Sequence, residues 1–372
     1  MKIILITGAA GFLGTHVSLA LQRQGGVEVV EFTRAHSVDD LSTMAARADL
    51  VFHLAGVNRP REEQEFMDGN AVFTRRLCDA LIAAGRRAPL VMSSSIQAAL
   101  DNPYGRSKKA GEEVVANYQQ KAGAAVYIFR FPNIFGKWSR PDYNTVVATF
   151  CHNISRGLPV RIADRNTQLQ LVHVDDIVCA FLELASRPAH DPVLSRPQID
   201  PVHTIGLGDL HDRLVSFRDA RERFWVPDLS NPLTCRLHST YTAFLDLGNL
   251  AQPVCLKTDE RGWLFELIKS DHAGQIFVSQ TKPGITRGNH YHDAKVEKFC
   301  VIQGEGLIRF RSVRGGDIVE YPVSGRDIRI VDIPPGHTHS IENTGAADMI
   351  TLFWASEIFE PEKPDTWNDP VL

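Results

Sequence analysis

The sequence predicts two domains, an α/β domain with a doubly wound parallel sheet followed by an all-β barrel. Three observations support this. Apolar strands alternate with helical segments in the first half, and short alternating strands between turn residues fill the last third. The length of 372 residues also exceeds that of a comfortable single domain. We place the first domain at residues 1–245, with a small substrate lobe from about residue 140, and the second at residues 246–372.

The composition is that of an ordinary soluble globular protein, with 44% hydrophobic and 23% charged residues. A net charge of −4 gives no reason to expect binding to nucleic acid or to a membrane, and no apolar stretch is long enough to span a bilayer. The six cysteines have no paired spacing, so we expect reduced thiols in a cytoplasmic protein.

The first half predicts a parallel sheet that helices cover on both faces. Strands are expected at Lys2–Thr7, Val27–Phe32, Leu50–His53, Leu90–Ser93 and Val126–Phe129. Helices are expected at Leu13–Gln24, Asn70–Ala84 and Tyr104–Lys121. Because parallel strands need crossover connections, this alternation gives a doubly wound fold with right-handed crossovers.

The alternation weakens after residue 140. A further helix is predicted from His173 to about Ser186, and the proline-rich stretches 188–201 and 225–232 are predicted as loops. The remaining predicted strands alternate with Gly, Pro and Asp turns, which is typical of a sandwich or barrel. They are Gly262–Lys269, Gln275–Thr281, Glu297–Ile302, Gly306–Arg311, Asp327–Ile333 and Asp348–Trp354.

A glycine-rich loop at residues 8–14 joins the first predicted strand to the first predicted helix. Gly8 permits a tight turn, Gly11 lets the backbone approach a pyrophosphate, and Gly14 allows close helix packing. The helix N-terminus, with Phe12 and Leu13, supplies N–H groups and a positive dipole end. This context predicts a dinucleotide site.

The end of the second predicted strand selects the cofactor. An acid at that place would bind the ribose 2′-hydroxyl of NAD, whereas Thr33 and Arg34 occupy it here. An arginine suits the 2′-phosphate of NADP. Glu31 lies earlier in the strand. We therefore predict NADPH, with NAD as the alternative.

Tyr104 and Lys108 are four residues apart and share one face of a predicted helix. A ketone reduction needs a proton donor beside the hydride donor, and a lysine ammonium brings the pKa of a tyrosine closer to working pH. Ser95 closes the fourth predicted strand, where its hydroxyl could polarise a carbonyl, with Ser94 as a second choice. These residues predict a reductase site.

With these motifs the chain resembles the extended short-chain dehydrogenase/reductase superfamily over roughly residues 1–245. The resemblance implies a Rossmann-type fold with Tyr104 as catalytic acid, Lys108 holding the nicotinamide ribose, and Ser95 assisting. It also implies cofactor contacts from Leu54, Ala55, Gly56 and Asn133. Only eight residues separate Ser95 from Tyr104, which predicts an open substrate cleft. No carboxylate pair follows Ser95, which argues against a sugar dehydratase.

A second set of chemically active residues lies in the last third. His290 and His292 alternate on one strand face, Glu297 follows, and His339 lies after a Pro-Pro-Gly sequence that ends another predicted strand. Three imidazoles and a carboxylate suit Zn, Ni, Mn or Fe(II), and we predict a divalent metal with zinc first. His337 should face away from His339, as a surface or supporting histidine.

Residues 258–360 resemble the cupin superfamily. The first cupin motif is matched in full, while the second lacks its leading glycine, where Ile328 stands. A metal-free cupin and an Fe(II) oxygenase remain alternatives for this site.

A reductase domain followed by a cupin resembles the bifunctional CapF-like enzymes of bacterial capsule and O-antigen synthesis. That resemblance implies a UDP-2-acetamido-2,6-dideoxy-4-keto-hexose substrate, epimerised at C3 by the cupin and reduced at C4 with NADPH, on the route to UDP-N-acetyl-L-fucosamine. It also suggests a homodimer. His337, Tyr291 and Lys298 are candidate bases. The alternatives are a reductase whose cupin only binds or dimerises, and a non-catalytic sugar-binding scaffold.

Overall fold

The structure is a computed structural model, and it describes residues 1–188, 190–253, 257–259, 262–264, 274–357 and 362–372. The chain divides into two compact units. The first comprises residues 1–135, 142–145 and 168–205, and the second comprises 136–141, 146–167 and 206–372. The domain boundary that we place between residues 245 and 246 stays a prediction, and residues 206–245 group here with the β-rich unit.

The first nine strands form two sheets, of six and three strands. These strands are β1 (Lys2–Thr7), β2 (Val27–Phe32), β3 (Leu50–His53), β4 (Leu90–Ser95), β5 (Val126–Phe131), β6 (Asn133–Phe135), β7 (Gln168–His173), β8 (Leu194–Ser195) and β9 (His203–Gly206). The main sheet has the order β2-β1-β3-β4-β5-β8, and every pairing in it is parallel. The five strands predicted in this half are confirmed, the last two being two residues longer than predicted.

Nine α-helices connect or flank the strands in the described residues. They are α1 (Phe12–Gln24), α2 (Val38–Arg47), α3 (Gln64–Met67), α4 (Phe73–Ala83), α5 (Pro103–Ala122), α6 (Val146–Ser155), α7 (Val174–Ser186), α8 (Leu207–Glu222) and α9 (Pro232–Ala243). Helix α5 begins where Asn102 Oδ1 accepts from the Gly105 N–H at 2.8 Å, and it ends at Gly123, whose φ is 61°. No described helix combines the length and apolar character that crossing a bilayer requires.

The main sheet is covered on both faces, as predicted for a doubly wound fold. Ile4 and Ile6 of β1 belong to one apolar cluster, which includes residues of α1 and α7. Leu5, between them, belongs to a second cluster, which includes residues of α2, α4 and α5. Because neighbouring residues of a strand point to opposite faces, this alternation buries both sides of the sheet.

The second unit contains α6, α8, α9 and the antiparallel β-structure. Its strands are β10 (Ala251–Pro253), β11 (Lys257–Asp259), β12 (Gly262–Leu264), β13 (Gln275–Thr281), β14 (Thr286–Tyr291), β15 (Glu297–Gln303), β16 (Glu305–Ser312), β17 (Val319–Ser324), β18 (Arg329–Ile333), β19 (His337–Asn343), β20 (Met349–Ala355) and β21 (Trp367–Asn368). In the described residues, β11 and β12 form a hairpin, and two five-stranded sheets have the orders β10-β18-β15-β20-β13 and β17-β16-β19-β14-β21. Phe299, Phe310 and Phe353 are buried among the core residues.

Several predictions of local structure need correction or extension. The Pro-Pro-Gly sequence follows the end of β18, and the histidines after it begin β19 instead of ending a strand. Helices α2, α3, α6, α8 and α9 were not predicted, although the Ser37–Asp40 capping box marks the start of α2. The strand predicted at Gly262–Lys269 is described only at 262–264, and its remainder lies outside the described residues.

Candidate functional site

The glycine loop has the shape of a phosphate cradle. Gly8 adopts a φ of 73°, and its N–H donates to the Phe32 carbonyl at 3.0 Å. A Cβ on Gly8 would lie 2.6 Å from the Ala55 nitrogen, and one on Gly14 would lie 2.1 Å from the Gly8 oxygen. Side chains are therefore excluded at both positions. The residues present fit a dinucleotide, because the backbone of this turn is not covered by side chains and leads directly into the N-terminus of α1.

The end of β2 carries the residues from which the cofactor was predicted. The Glu31 carboxylate accepts a hydrogen bond from the Ser18 hydroxyl of α1, so this acid is already engaged. Arg34 is exposed beyond it. His36, which the sequence analysis did not single out, accepts the Thr33 N–H at 3.1 Å through Nδ1.

Helix α5 brings Tyr104 and Lys108 onto one face, and the end of β4 brings Ser95 to them. Burial raises the pKa of the Tyr104 phenol, and the nearby Ser95 hydroxyl opposes that rise. Tyr104 also packs against Phe66, with ring centroids 5.6 Å apart. The pairing of Tyr104 with Ser95 is the arrangement that the sequence predicts.

Lys108 is 5% exposed, and its Nζ donates to the Ser93 carbonyl at 2.8 Å. Burial lowers the pKa of its ammonium to about 8, and the Glu112 carboxylate opposes the fall. A Cβ on Gly56 would lie 3.5 Å from Nζ, so Gly56 borders this lysine. The structure thus brings a predicted cofactor loop to the predicted ribose-binding lysine.

Ser94, our second choice for the hydroxyl, is engaged elsewhere. It donates to Glu112 Oε1 at 2.5 Å, and the same carboxylate accepts from Arg130 at 2.9 and 2.7 Å. Sequence reasoning missed Glu112, although its position four residues after Lys108 places it on the same helix face.

Asn70 was also missed, and it holds residue 57 against α5. It lies in a π-helical turn at Asp68–Val72, accepts the Val57 N–H at 2.9 Å, and donates to Ser107 at 3.0 Å. The signal in the sequence is weak, since a π-turn has no simple pattern. Asn133, a predicted cofactor contact, donates to the Gln170 carbonyl at 3.2 Å and is exposed.

The four predicted metal ligands converge in the second unit. One potential ligand atom from each of His290, His292, Glu297 and His339 lies within 4.8 Å of the others. Glu297 Oε2 lies 3.0 Å from His292 Nε2 and 3.6 Å from His339 Nε2. Among the described residues, the buried Nε2 of His339 finds no hydrogen-bond partner. This set of donors fits a divalent cation such as zinc.

The protonation states in this cluster suit a metal. Burial and the neighbouring imidazoles lower the pKa of His290 to about 3, and burial lowers that of His339. Burial raises the pKa of Glu297, but the neighbouring His292 and His339 rings outweigh it, so the pKa lies well below the usual value. A neutral His290 or His339 ring beside an ionised carboxylate is in the form that binds metal.

The candidate bases have different surroundings. Lys298 forms a buried ion pair with Asp332, which also accepts from Arg221 at 2.6 Å. His337 is buried, contrary to the surface position that we allowed, and its Nδ1 lies 3.2 Å from the Pro335 carbonyl. Tyr291 is 7% exposed. The structure therefore commits Lys298 to an ion pair.

Comparisons with known proteins match the whole chain. Residues 4–194 match the NAD dependent epimerase/dehydratase family, and residues 257–367 match the polysaccharide biosynthesis C-terminal domain. A UDP-2-acetamido-2,6-beta-L-arabino-hexul-4-ose reductase of Pseudomonas aeruginosa is 42% identical over 98% of this chain and 97% of its own length. These matches show that the chain is an enzyme.

Solved structures agree on the fold. The capsular polysaccharide assembling protein CapF from Staphylococcus aureus is 40% identical, with a TM-score of 0.67 and full coverage of both chains. CapF with the inhibitor 3-isopropenyl-tropolone is 36% identical, with a TM-score of 0.62 and full coverage. The predicted fold class, a Rossmann-type α/β domain followed by an all-β cupin domain, is confirmed.

Proposed function

Because the chain belongs to the NAD dependent epimerase/dehydratase family and to its CapF-like members, we propose that it is a bifunctional enzyme of nucleotide sugars. The cupin epimerises C3 of a UDP-2-acetamido-2,6-dideoxy-4-keto-hexose, and the reductase site then reduces the C4 ketone on the route to UDP-N-acetyl-L-fucosamine. One observation carries this proposal: a Ser95–Tyr104–Lys108 arrangement and a four-ligand cluster occur in one chain.

The reductase half depends on Tyr104 as proton donor. NADPH, when bound, supplies the hydride for C4. Tyr104 gives its phenolic proton to the C4 oxygen, so that hydride and proton together convert the ketone into an alcohol. The Lys108 ammonium stabilises the phenolate that remains, and Ser95 holds the phenol in place. Residues 8–14 and 54–56 are proposed to bind the cofactor.

The epimerase half depends on the acidity that a C4 ketone gives to the C3 hydrogen. A divalent metal, with zinc as our choice, supplies a Lewis acid for an enolate oxygen when bound by His290, His292, Glu297 and His339. A base in the barrel removes the C3 proton, and return of a proton to the opposite face inverts the carbon. The same carbonyl therefore serves both steps.

We extend the proposal to cofactor, assembly and compartment. NADPH is preferred to NADH because Glu31 is engaged by Ser18 while Arg34 is exposed. A homodimer is proposed because β13 is a sheet edge with exposed Ile276 and Val278. A cytoplasmic location is proposed because no disulfide bond joins the five described cysteines.

The test uses the 4-keto UDP-sugar in heavy water, first without and then with NADPH. We expect solvent deuterium at C3 before NADPH is added, and stoichiometric NADPH oxidation afterwards, with the product identified by NMR. Oxidation without deuterium at C3 would reject the epimerase half, and deuterium without oxidation would reject the reductase half.

A further inference from the structure

The segment 362–372 lies along β14, the strand that carries His290 and ends one residue before His292. Within it, β21 pairs with β14, so that Asn368 is opposite His290 and Trp367 is opposite Tyr291. The pairing continues beyond β21, where the Asp369 N–H donates to the Asn289 carbonyl at 2.8 Å. The segment therefore forms an edge strand directly beside the ligand cluster.

The Asp365 carboxylate binds the turn that separates two of the ligands. Its Oδ1 accepts the Asp293 N–H at 2.8 Å, and its Oδ2 accepts the N–H groups of Ala294 and Lys295 at 2.8 and 2.7 Å. Three consecutive backbone donors are thus held by one side chain. Because this turn follows His292 and precedes Glu297, its shape sets the distance between those two ligands.

The main chain of Asp365 also fixes the ring of His292. The Asp365 carbonyl lies 2.5 Å from His292 Nδ1, across 73 residues of sequence. A carbonyl oxygen only accepts, so Nδ1 carries the proton. With Nδ1 donating to this carbonyl, Nε2 is the ring nitrogen left to bind a metal, and it lies 3.0 Å from Glu297 Oε2.

We propose that Asp365 is a positioning residue of the metal site, and that the segment 362–372 serves to hold it there. Its carboxylate fixes the turn between His292 and Glu297, and its carbonyl selects the tautomer and orientation of His292. This inference rests on the proposed metal site. Partners of this kind orient the ligands of metal sites in general, and their loss costs about 10- to 100-fold in metal affinity.

The far end of the segment is anchored independently of the ligands. Arg311 of β16 donates to Asp369 Oδ2 at 3.1 Å and to the Pro370 carbonyl at 2.8 Å, and Thr338 donates to the Asp369 carbonyl. Neither Arg311 nor Asp369 belongs to the ligand cluster. Asp369 is therefore a matched control, on the same segment and with the same charge.

The experiment compares the wild type with Asp365→Ala, Asp365→Asn and Asp369→Asn in the full chain. After metal removal, the Kd for Zn²⁺ is measured by competition with a chromogenic chelator, and the coordination geometry is read from the visible absorption of bound Co²⁺. We expect Asp365→Ala to weaken Zn²⁺ binding by about 10- to 100-fold and to alter the Co²⁺ spectrum. Asp365→Asn should be intermediate, because its amide keeps one accepting oxygen, and Asp369→Asn should bind like the wild type.

Thermal unfolding of the metal-free proteins distinguishes positioning from folding. An unchanged Kd and spectrum in Asp365→Ala would overturn the inference and leave the proposed function intact. If Asp365→Ala is unfolded without metal while Asp365→Asn folds and binds Zn²⁺ like the wild type, the role is structural and the inference also fails. A wild type that binds no divalent metal would overturn both the metal site and this inference.

Discussion

The two candidate sites are assembled in different ways. In the first unit, Tyr104 and Lys108 are one helical turn apart on α5, so local helix geometry brings them together. In the second, His290, Glu297 and His339 come from three strands, and their meeting depends on sheet register. The Tyr104/Lys108 pair can therefore persist through local changes in a sheet, whereas a shift of one residue in β14, β15 or β19 would separate the four proposed ligands.

The two buried lysines, Lys108 and Lys298, have different surroundings. The Lys108 ammonium donates to a carbonyl oxygen, and burial lowers its pKa to about 8. Lys298, also buried, is held by the Asp332 carboxylate, which Arg221 shares. A buried charge without a close counter-ion is typical of a functional group, whereas a buried pair is more often structural. This contrast favours a functional role for Lys108 and a structural one for Lys298.

The largest effect is expected from Tyr104→Phe. The variant lacks the proton donor, so NADPH oxidation should fall by about 10²- to 10⁴-fold. Deuterium exchange at C3 should persist, because the metal cluster is unchanged. Tyr127→Phe, which removes a hydroxyl bonded to His190, is the control and should keep full activity. Loss of both activities in Tyr104→Phe would break the separation of the two sites.

The next effect is that of His290→Ala, which removes a ligand from the other site. We expect a loss of metal affinity larger than the about 10- to 100-fold of an outer partner, and no deuterium at C3. NADPH oxidation with the unepimerised ketone should remain measurable. His211→Ala, on α8 beside Asp212, is the control. Unchanged C3 exchange with normal product stereochemistry would instead support a cupin that only binds or dimerises.

The pH dependence of NADPH oxidation tests the role of the charge on Lys108. Its ammonium is charged below its pKa of about 8 and neutral above it. The rate of NADPH oxidation should therefore fall as the pH rises above 8, by about tenfold per pH unit once the lysine is neutral. The check is a kcat profile from pH 6 to 10, with Lys108→Met as reference. A profile that stays flat to pH 10 would contradict the role of this charge.

The smallest effect is expected from Arg34→Ala. A hydrogen bond between an exposed guanidinium and a phosphate is worth about 1.5 kcal/mol, so the KM for NADPH should rise about tenfold. The KM for NADH should stay unchanged. Arg47→Ala, which breaks an exposed pair with Glu28, is the control. Equal rises for both cofactors would show that Arg34 does not select NADPH.

Most of the α/β half was predictable because its signals are local. The strands β1, β2 and β3 have the predicted bounds. Short apolar runs bounded by turn residues are the pattern of strands buried in a parallel sheet, so the ends of these strands can be predicted. Helices α2 and α3 of this half were missed, as were α6, α8 and α9 of the second unit. The hydrophobic pattern of α8 is weak, and prolines around α9 suggested a loop, although Pro232 is the first residue of that helix.

The amino-acid sequence was sufficient to predict the two fold classes, the glycine turn, the Tyr104/Lys108 pair and the four candidate ligands, because each follows from fixed spacing along one element or motif. The contacts that hold the side chains of the two sites became known only from the tertiary structure. That structure engaged Ser94 with Glu112, paired Lys298 with Asp332, and brought Asp365 to His292. These contacts join residues from 18 to 73 positions apart. No periodicity encodes such contacts, since they arise only when packed strands and helices fix the distance between remote side chains.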